Sequence, residues 1–323
     1  MITVSTVMPL FAKSAPLRAL VTERGWNHEW LADPARHGGI APEDARAVLL
    51  RAAPGITHLI ANTIPLDAAF FAAATKLRHV AMFGVGLDHI DMDAATRHGV
   101  LVTNVPGGNA QCVAELTFSF MLDLAHKVTR MHTDLAAGLW RPRMGSELAG
   151  KTLGIVGLGH IGQTVARLGK AFGMTVIAAN RTPRPEIAAQ LGIEQCSFGE
   201  VLSRADYLTL HVPGGSGSYH LGTAELAAMK QGAFLINTAR GDLVDFDALT
   251  EALAANRLAG AGTDVFPREP MNPDHPFFRL PNVMYTPHAG GLSRESMQHV
   301  AVACLDAIAQ SVARRRSANA RNP

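Results

Sequence analysis

A glycine-rich segment in the middle of the chain has the spacing of a phosphate-binding loop. It reads Gly157-Leu158-Gly159-His160-Ile161-Gly162, after the apolar run 151–157 and before a helix-like stretch at 162–172. The first glycine of such a loop permits a tight turn, the second lets a pyrophosphate approach the backbone, and the third lets helix and strand pack closely. The helix N-terminus adds free N–H groups and a positive dipole end. This context predicts dinucleotide binding.

The end of the next predicted strand bears on which dinucleotide binds. An NAD enzyme usually offers the ribose hydroxyls a carboxylate there, whereas this chain has Asn180-Arg181-Thr182. Asn180 removes the charge that would repel a 2′-phosphate, while Arg181 and Thr182 offer a guanidinium and a hydroxyl. The alternative is that Arg181 is a solvated loop residue. We predict NADP(H), with NAD as the second choice.

The sequence predicts neither a metal site nor a disulfide framework. Residues 88–93, DHIDMD, look like a cluster of metal ligands, but Asp91 or Asp93 is explained as the cap of a helix that begins near Ala94. No third ligand group with known spacing appears. The cysteines Cys112, Cys196 and Cys304 are odd in number and far apart.

Alternating elements must position these residues. Short apolar runs bounded by Gly or Pro alternate with helix-like stretches, which is typical of βα units around parallel sheets. Residues 110 to about 132, without Gly or Pro, predict one long, largely buried helix, and 293 to about 315 predict another. Strands are expected at 57–65, 78–86, 151–157, 174–180, 207–212, 233–238, 260–265 and 282–287, and the Pro and Gly residues of 101–109 mark a turn. Further helices are expected at 223–230 and 245–256.

Composition excludes several classes of protein. The 323 residues are 48% hydrophobic, which suggests about two domains with sizeable cores. The formal net charge is +2, and no long basic block precedes the short Arg314-Arg315-Arg316 run, so nucleic-acid binding has little electrostatic support. No window approaches a membrane span, and the first residues lack the basic start of a secretory signal. We expect a cytoplasmic protein without membrane partners.

Six segments, in order, resemble the D-2-hydroxyacid dehydrogenase family over nearly the whole chain. They are GVGLDHID (84–91), TNVPG with VAE (103–107 and 113–115), GIVGLGHIG (154–162), INTARG (236–241), DVFPREP (264–270) and TPHAGG (286–291). The resemblance implies an α/β fold of two parallel-sheet domains. A Rossmann dinucleotide-binding domain, 109–292, would be inserted into a flavodoxin-like substrate domain formed by 1–108 and 293–323. It also implies a homodimer, in which Gly138-Leu139-Trp140 would make contacts across a twofold axis.

Within this resemblance, Arg240, Glu269 and His288 fall on the catalytic positions of the family. Reduction of a 2-keto acid needs a hydride on the carbonyl carbon, a proton on its oxygen and a group that holds the carboxylate. A guanidinium at Arg240 suits carboxylate and carbonyl oxygens. The imidazole of His288 titrates near neutrality, and Glu269 would favour its protonated form.

The resemblance also assigns binding residues. Backbone N–H groups of Phe83-Gly84-Val85-Gly86 would meet the substrate carboxylate, and Asn104 would line the cleft as the other domain closes over the substrate. Thr238, Ala239 and Asp264 would lie on the nicotinamide side. His211-Val212-Pro213 would lie beside the adenosine half.

Departures from subfamily patterns bear on the substrate. Relatives that oxidise 3-phosphoglycerate tend to carry arginines where this chain has Asn62-Thr63 and Met82-Phe83. Without those cations a phosphate would be poorly compensated in a desolvated cleft. We predict a small 2-keto acid such as glyoxylate or hydroxypyruvate, although Met82 and Phe83 equally suit a larger apolar side chain. The alternatives are a short-type NAD-dependent D-3-phosphoglycerate dehydrogenase and an NAD(H)-responsive scaffold or corepressor without turnover.

Overall fold

The chain forms two compact units, and the second unit is inserted into the sequence of the first. The computed structural model describes residues 2–8, 11, 14–31, 42–215, 217 and 219–313. One unit comprises the described residues up to Asn109 together with those from Ser293 onward, and the other runs from Ala110 to Leu292. The Arg314-Arg315-Arg316 run lies outside the described residues. Within the described part of the chain, no helix is both long and apolar enough to cross a membrane.

The first unit is built on a wholly parallel sheet. Its described strands are β1 (Thr3–Thr6), β2 (Asn27–Trp30), β3 (His58–Ala61), β4 (His79–Met82) and β5 (Leu101–Thr103). They are ordered β2-β1-β3-β4-β5. This order is that of flavodoxin-like sheets, so the predicted fold class of this unit is confirmed.

Short helices connect these strands. They are α1 (Ala15–Thr22), α2 (Pro42–Ala52), α3 (Ala68–Ala73) and α4 (Met92–Arg97). The carboxylate of Asp67 accepts the Phe70 N–H at the start of α3, and that of Asp91 accepts the Ala94 N–H at the start of α4. Side-chain acceptors at this position satisfy N–H groups that have no partner within the helix. The capping role predicted for Asp91 is therefore confirmed.

The second unit contains a larger parallel sheet with helices between its strands. Its described strands are β6 (Thr152–Val156), β7 (Thr175–Ala179), β8 (Glu194–Gln195), β9 (Tyr207–Leu210), β10 (Phe234–Asn237), β11 (Gly260–Thr263) and β12 (Val283–Tyr285). Its helices are α5 (Ala110–His126), α6 (Val128–Ala136), α7 (His160–Ala171), α8 (Pro185–Leu191), α9 (Phe198–Arg204), α10 (Thr223–Ala228) and α11 (Phe246–Ala254). Short 3₁₀ turns lie at Gly241–Leu243 and Pro276–Arg279.

The strand order of this sheet creates a ligand crevice. The order is β12-β11-β10-β9-β6-β7-β8, with the first strand of the unit in the interior of the sheet between β9 and β7. Chain direction along the sheet therefore reverses between β6 and β9, and ligands of open α/β sheets bind outside the carboxyl ends of the strands at such a switch point. The predicted Rossmann arrangement is confirmed.

Small residues let α5 lie directly against this sheet. A Cβ on Gly262 in β11 would lie 2.7 Å from Cβ of Phe120 in α5, and one on Gly260 would lie 3.1 Å from Cδ2 of Leu124. Only glycine permits such an approach of helix and strand. Phe120 and Leu124 are buried there in one apolar cluster with Ile236 of β10.

The prediction of one long, buried helix from 110 to about 132 was wrong. The helix breaks at Lys127, which adopts a left-handed conformation with φ +58°. The carboxylate of Asp123 accepts the Thr129 N–H at 2.7 Å, and Nζ of Lys127 donates to the Met144 carbonyl. Local polar bonds thus compete with continuation of the helix. Most of α6 beyond the break is exposed, whereas α5 is largely buried.

The last described helix returns to the first unit. This helix, α12 (Arg294–Val312), begins after Ser293, whose hydroxyl accepts the Ser296 N–H. Its buried face packs against apolar residues of β1, β3 and β4. At its far end, Oγ of Ser311 lies 3.0 Å from Nδ1 of His79, a fully buried histidine in β4 whose Nε2 meets Oγ1 of Thr103.

Candidate active site

The glycine loop lies where β6 ends and α7 begins, at the switch point of the second sheet. Gly157 has φ +102°, and a Cβ there would overlap the region of the His211 carbonyl. A Cβ on Gly162 would collide with the Gly157 carbonyl oxygen. Each of these glycines is therefore required by the backbone itself.

Gly159, the middle glycine, differs from the other two, because no contact within the described residues requires a glycine there. No heavy atom of the described residues lies within 4 Å of the Cβ position of Gly159. Gly159 is exposed and precedes α7 without any side-chain cap. This open cradle at a helix N-terminus is the shape that a pyrophosphate needs. The residues present therefore fit a dinucleotide, with Leu158, His160 and Ile161 completing the loop.

Asn180 ties the end of β7 to the glycine loop. Its Oδ1 accepts the Leu158 N–H at 2.6 Å, and its Nδ2 donates to the Thr182 carbonyl at 3.0 Å. Arg181 is exposed, and its Nη1 donates to the Gly217 carbonyl at 3.0 Å. An arginine carries five N–H donors, so this bond leaves donors of the same guanidinium for a phosphate.

His211 follows β9 on the other side of the switch point. Its N–H donates to the Val156 carbonyl, and its Nε2 lies 3.0 Å from Oγ1 of Thr209. Burial lowers the pKa of His211 to about 3, so the ring is neutral. Its Nδ1 is buried without a hydrogen-bond partner among the described residues. A buried ring nitrogen without a partner has a cost in free energy that nothing among the described residues offsets.

Arg240 is held at the end of β10 by a tight backbone turn. Asn237 fixes the turn, because its Nδ2 donates to the Arg240 carbonyl at 2.8 Å and its Oδ1 accepts the Ala239 N–H at 3.1 Å. Nη1 of Arg240 donates to the Ala239 carbonyl at 2.6 Å. A Cβ on the next residue, Gly241, would overlap the backbone of Phe266. The turn that carries Arg240 therefore lies directly against the loop that leads to Glu269.

Glu269 and His288 form a hydrogen-bonded ion pair. Nδ1 of His288 donates to Oε2 of Glu269 at 2.7 Å, while Oε1 of Glu269 accepts the Phe266 N–H. Both side chains are about one-third exposed, at 36% for His288 and 35% for Glu269. Because Glu269 occupies Nδ1, the ring nitrogen Nε2 is the one that can exchange a proton with a substrate.

The charges at this site shift the pKa values of the pair in opposite directions. The hydrogen bond to Glu269 raises the pKa of His288 above its usual value, and it outweighs burial and the repulsion of Arg240. Burial tends to raise the pKa of Glu269, but His288, the Phe266 N–H and Arg240 together hold it below its usual value. A histidine with a raised pKa, beside a carboxylate with a lowered pKa, is suited to acid–base catalysis.

Asp264 organises the segment that carries His288. Its buried carboxylate accepts the Thr286 hydroxyl and the N–H groups of Ala289 and Gly290, and its carbonyl accepts the His288 N–H. Burial raises the pKa of Asp264, although these donors oppose the rise. His288 itself has φ +53°, a conformation that side chains other than glycine seldom adopt. The network holds this conformation in place.

Thr238 lies nearby and is buried. Its Oγ1 is 3.2 Å from Oγ1 of Thr117 in α5. Sequence reasoning singled out Thr238 but missed Thr117, and it also missed Asn237 and Gly241 beside Arg240. The segment INTARG contains a signal that could have identified Asn237 and Gly241. It has a polar Asn at the end of a buried strand and a glycine directly after Arg240.

The predicted substrate loop lies in the first unit. Gly84 has φ +148°, and its carbonyl accepts the Val105 N–H. Nδ2 of Asn104 donates to the Val85 carbonyl at 2.6 Å. Asn104 thus holds the loop 83–86 from the end of β5. Met82 is buried in the core, and the Phe83 ring packs edge-on against Phe11.

Fold and site together define a class of protein. A glycine loop at the switch point, followed by an arginine, a glutamate and a histidine at the carboxyl ends of neighbouring strands, is the arrangement of a dinucleotide-dependent oxidoreductase. Comparison with known proteins narrows this class. A family model for the NAD-binding domain of D-isomer specific 2-hydroxyacid dehydrogenases matches residues 118–290.

Individual relatives agree with this match. A glyoxylate reductase of Korarchaeum cryptofilum is 38% identical over 268 residues, which cover 81% of this chain and 81% of that protein. A D-3-phosphoglycerate dehydrogenase of Mycobacterium leprae is 40% identical over 272 residues, covering 83% of this chain but 51% of that protein. The crystal structure of the TT0316 protein from Thermus thermophilus aligns with a TM-score of 0.88 at 35% identity, over 99% of this chain and 100% of that one. The chain belongs to the D-isomer specific 2-hydroxyacid dehydrogenase family. It is an oxidoreductase that uses a nicotinamide dinucleotide.

Proposed function

We propose that this enzyme reduces a small 2-keto acid, such as glyoxylate or hydroxypyruvate, with a preference for NADP(H). The observation that carries the proposal is the pair formed by Nδ1 of His288 and Oε2 of Glu269 at 2.7 Å, beside the turn of Arg240. Relatives named glyoxylate reductase support the choice of substrate class.

Arg240, His288 and Glu269 each have a separate role in the proposed reaction. The bound nicotinamide supplies or accepts the hydride at the substrate carbon. Arg240 binds the carboxylate of the substrate and polarises its carbonyl oxygen. His288 gives a proton from Nε2 to that oxygen during reduction and takes it back during oxidation. Glu269 fixes the ring and stabilises its positive charge, which is the reason that the pKa of His288 lies above its usual value.

The preference for NADP(H) rests on the end of β7. The carboxylate that would select an NAD ribose is replaced by Asn180, whose side chain is engaged by the Leu158 N–H and the Thr182 carbonyl. Arg181 lies next to it, exposed, with one Nη bonded to the Gly217 carbonyl. A guanidinium beside the ribose position without a competing carboxylate favours a 2′-phosphate. NAD is the second choice.

The proposal of a small substrate is based on residues of the first unit. Asn62 and Thr63, at the end of β3, offer no cation, and neither do Met82 and Phe83 at the end of β4. The buried position of Met82 and the packing of the partly buried Phe83 on Phe11 support a small substrate, because side chains packed in this way are not available to line a pocket for a bulky one. The expectation that all four N–H groups of the loop 83–86 meet the substrate carboxylate was wrong for two of them, because the Phe83 N–H donates to the Ala61 carbonyl and the Gly84 N–H to the Met82 carbonyl. We assign the N–H groups of Val85 and Gly86 to the substrate carboxylate.

A short-type D-3-phosphoglycerate dehydrogenase is the second candidate. Relatives with that name are as similar as the glyoxylate reductases, at 40% identity for the protein of M. leprae. The chain, however, spans about half the length of those relatives. The missing cations at 62–63 and 82–83 argue against a phosphorylated substrate.

A homodimer is the proposed assembly. Apolar side chains are exposed on and after α6 in the second unit: Val128 by 55%, Leu135 by 58%, Trp140 by 86% and Met144 by 90%. Exposed apolar side chains grouped in this way are typical of an interaction surface. Arg143 holds the segment after α6 by two hydrogen bonds to the nearly buried carboxylate of Asp134.

A substrate panel tests the proposal. The oxidation of NADPH and of NADH is followed at about 340 nm with glyoxylate, hydroxypyruvate, pyruvate and phenylpyruvate, and the reduction of NAD is followed with 3-phosphoglycerate. We expect the highest kcat/KM with NADPH and the two smaller keto acids. Saturable turnover of 3-phosphoglycerate with NAD would favour the second candidate instead. Turnover with none of these pairs would refute the proposal and make an NAD(H)-responsive scaffold the next hypothesis.

A further inference from the structure

An exposed carboxylate next to the Arg240 turn has no part in the proposed chemistry. Asp242 lies in the 3₁₀ turn Gly241–Leu243, two residues after Arg240. Its Oδ2 accepts the Gly215 N–H at 2.7 Å, and the carboxylate lies so close to Gly214 that a Cβ there would collide with it. Its backbone carbonyl lies 3.1 Å from Nδ1 of His220. Asp242 therefore holds the Gly214–Gly215 turn from outside.

The element that bears Asp242 is a rigid anchor. Asn237 hydrogen-bonds both sides of the Arg240 turn. Gly241 packs against the Phe266 backbone so closely that no side chain would fit. Leu243 and Val244, on the other side of Asp242, are buried in the core of the second unit. A group bonded to Asp242 is thus bonded to a well-fixed part of the molecule.

The Gly214–Gly215 turn leads to the contact of Arg181. Gly217, whose carbonyl accepts Nη1 of Arg181, is only two residues beyond Gly215. Successive Cα atoms are about 3.8 Å apart, so a fixed Gly215 restricts where the Gly217 carbonyl can lie. That carbonyl in turn restricts the rotamers of a long, exposed side chain. A side chain ordered in advance loses less entropy when a ligand binds.

We infer that Asp242 is a positioning residue for cofactor selection: its bond to the Gly215 N–H fixes the Gly217 carbonyl, which holds the Arg181 guanidinium ready for the 2′-phosphate of NADP(H). The inference rests on the proposed preference for NADP(H). Asp242 itself touches neither cofactor nor substrate in this scheme. It acts through Arg181, so its effect is confined to the cofactor that carries the 2′-phosphate.

The test is the ratio of kcat/KM with NADPH to kcat/KM with NADH, measured in matched variants. In Asp242→Ala the ratio is expected to fall by about threefold to tenfold, as befits one lost hydrogen bond, mainly through a higher KM for NADPH. Asp242→Asn retains an acceptor oxygen for Gly215 and is expected to stay near the wild-type ratio. Asp247→Ala, which removes another exposed carboxylate nearby, is the control. A purely structural role of Asp242 would lower the Tm and both kcat/KM values without changing their ratio.

Measurements in the Arg181→Ala variant distinguish a failure of this inference from a failure of the proposed preference for NADP(H). In Arg181→Ala, the added Asp242→Ala is expected to leave the ratio unchanged, because the two residues act through one contact. If the wild type prefers NADPH and Arg181→Ala loses that preference, two results overturn the role of Asp242 while the proposed cofactor stands. They are an unchanged ratio in Asp242→Ala and an additive effect in the double variant. A wild-type enzyme without any preference for NADPH overturns both the proposed cofactor and this inference.

Discussion

At the scale of single residues, the ion pair of Glu269 and His288 makes the pH dependence of the reaction predictable. Reduction needs the protonated imidazole, so the rate falls as the pH rises through the pKa of His288. The hydrogen bond from Glu269 raises that pKa. Glu269→Gln removes the carboxylate charge, and the alkaline fall in kcat/KM is expected to move to lower pH.

The measurement is kcat/KM for the keto acid across the pH range at saturating cofactor. Glu251→Gln, a substitution on the exposed side of α11, is a matched control and should leave the profile in place. A Glu269→Gln profile that coincides with that of the wild type would mean that Glu269 does not control the proton on His288.

At the scale of elements, the fold requires one glycine of the glycine loop and cofactor binding requires another. A Cβ on Gly162 would collide with the Gly157 carbonyl, so Gly162→Ala is expected to destabilise the protein by about 1–3 kcal/mol through overpacking. A Cβ on Gly159 meets no described atom, so Gly159→Ala should keep the wild-type Tm. It should nevertheless weaken NADPH binding by about tenfold or more, because the added methyl occupies the phosphate cradle.

Thermal unfolding and fluorescence titration with NADPH measure the two effects. The result that contradicts this assignment is a Gly159→Ala variant that binds NADPH as tightly as the wild type. The same titration of Gly162→Ala serves as the comparison, since its loss of stability and its loss of binding are expected together.

His79 joins β4 and β5 to the end of α12 and makes stability depend on pH. Burial, followed by the charge of His58, lowers the pKa of His79 from 6.5 to about 4. The folded state then binds the proton more weakly than the unfolded state, so this contribution is complete above pH 6.5 and is lost as the pH falls towards 4. The expected loss between about pH 7 and about pH 5 is roughly 2 kcal/mol.

Urea unfolding of the wild type and of His79→Asn at both pH values measures this contribution. The variant is expected to be less stable at neutral pH, because Ser311 and Thr103 lose their partner. It is also expected to lose less stability on acidification. An equal acid-induced loss in both proteins would place the pH sensitivity elsewhere.

Most of the described strands followed from periodicity, but fewer than half of the described helices did, and the failures have local causes. The polar strands β1 and β2, with sequences TVST and NHEW, carry no apolar signal, and β8 is only two residues long. The break at Lys127 depends on side-chain bonds of Asp123 and Lys127 that a hydrophobic pattern does not contain. In the site, the glycine loop was readable from spacing. The Asp264 network was not, because its partners lie 22 to 26 residues further along the chain.

At the scale of the whole molecule, the exposed apolar side chains on and after α6 predict association of two copies. Trp140→Glu and Leu135→Glu place a charge within that surface and are expected to shift the protein from dimer to monomer in analytical ultracentrifugation. Val312→Glu, on an exposed position of α12, is the control. Dimers that persist in both variants would assign the contact to another surface.

The proposed mechanism requires that His288 transfers the proton during reduction of a 2-keto acid. The most direct measurement is the single-turnover rate of NADPH oxidation by glyoxylate in His288→Ala and in the wild type, with the Kd for NADPH determined in the same samples. We predict a rate that is roughly 10²–10⁴-fold lower at an unchanged Kd. A variant that turns over at the wild-type rate would contradict the account and remove His288 from the mechanism.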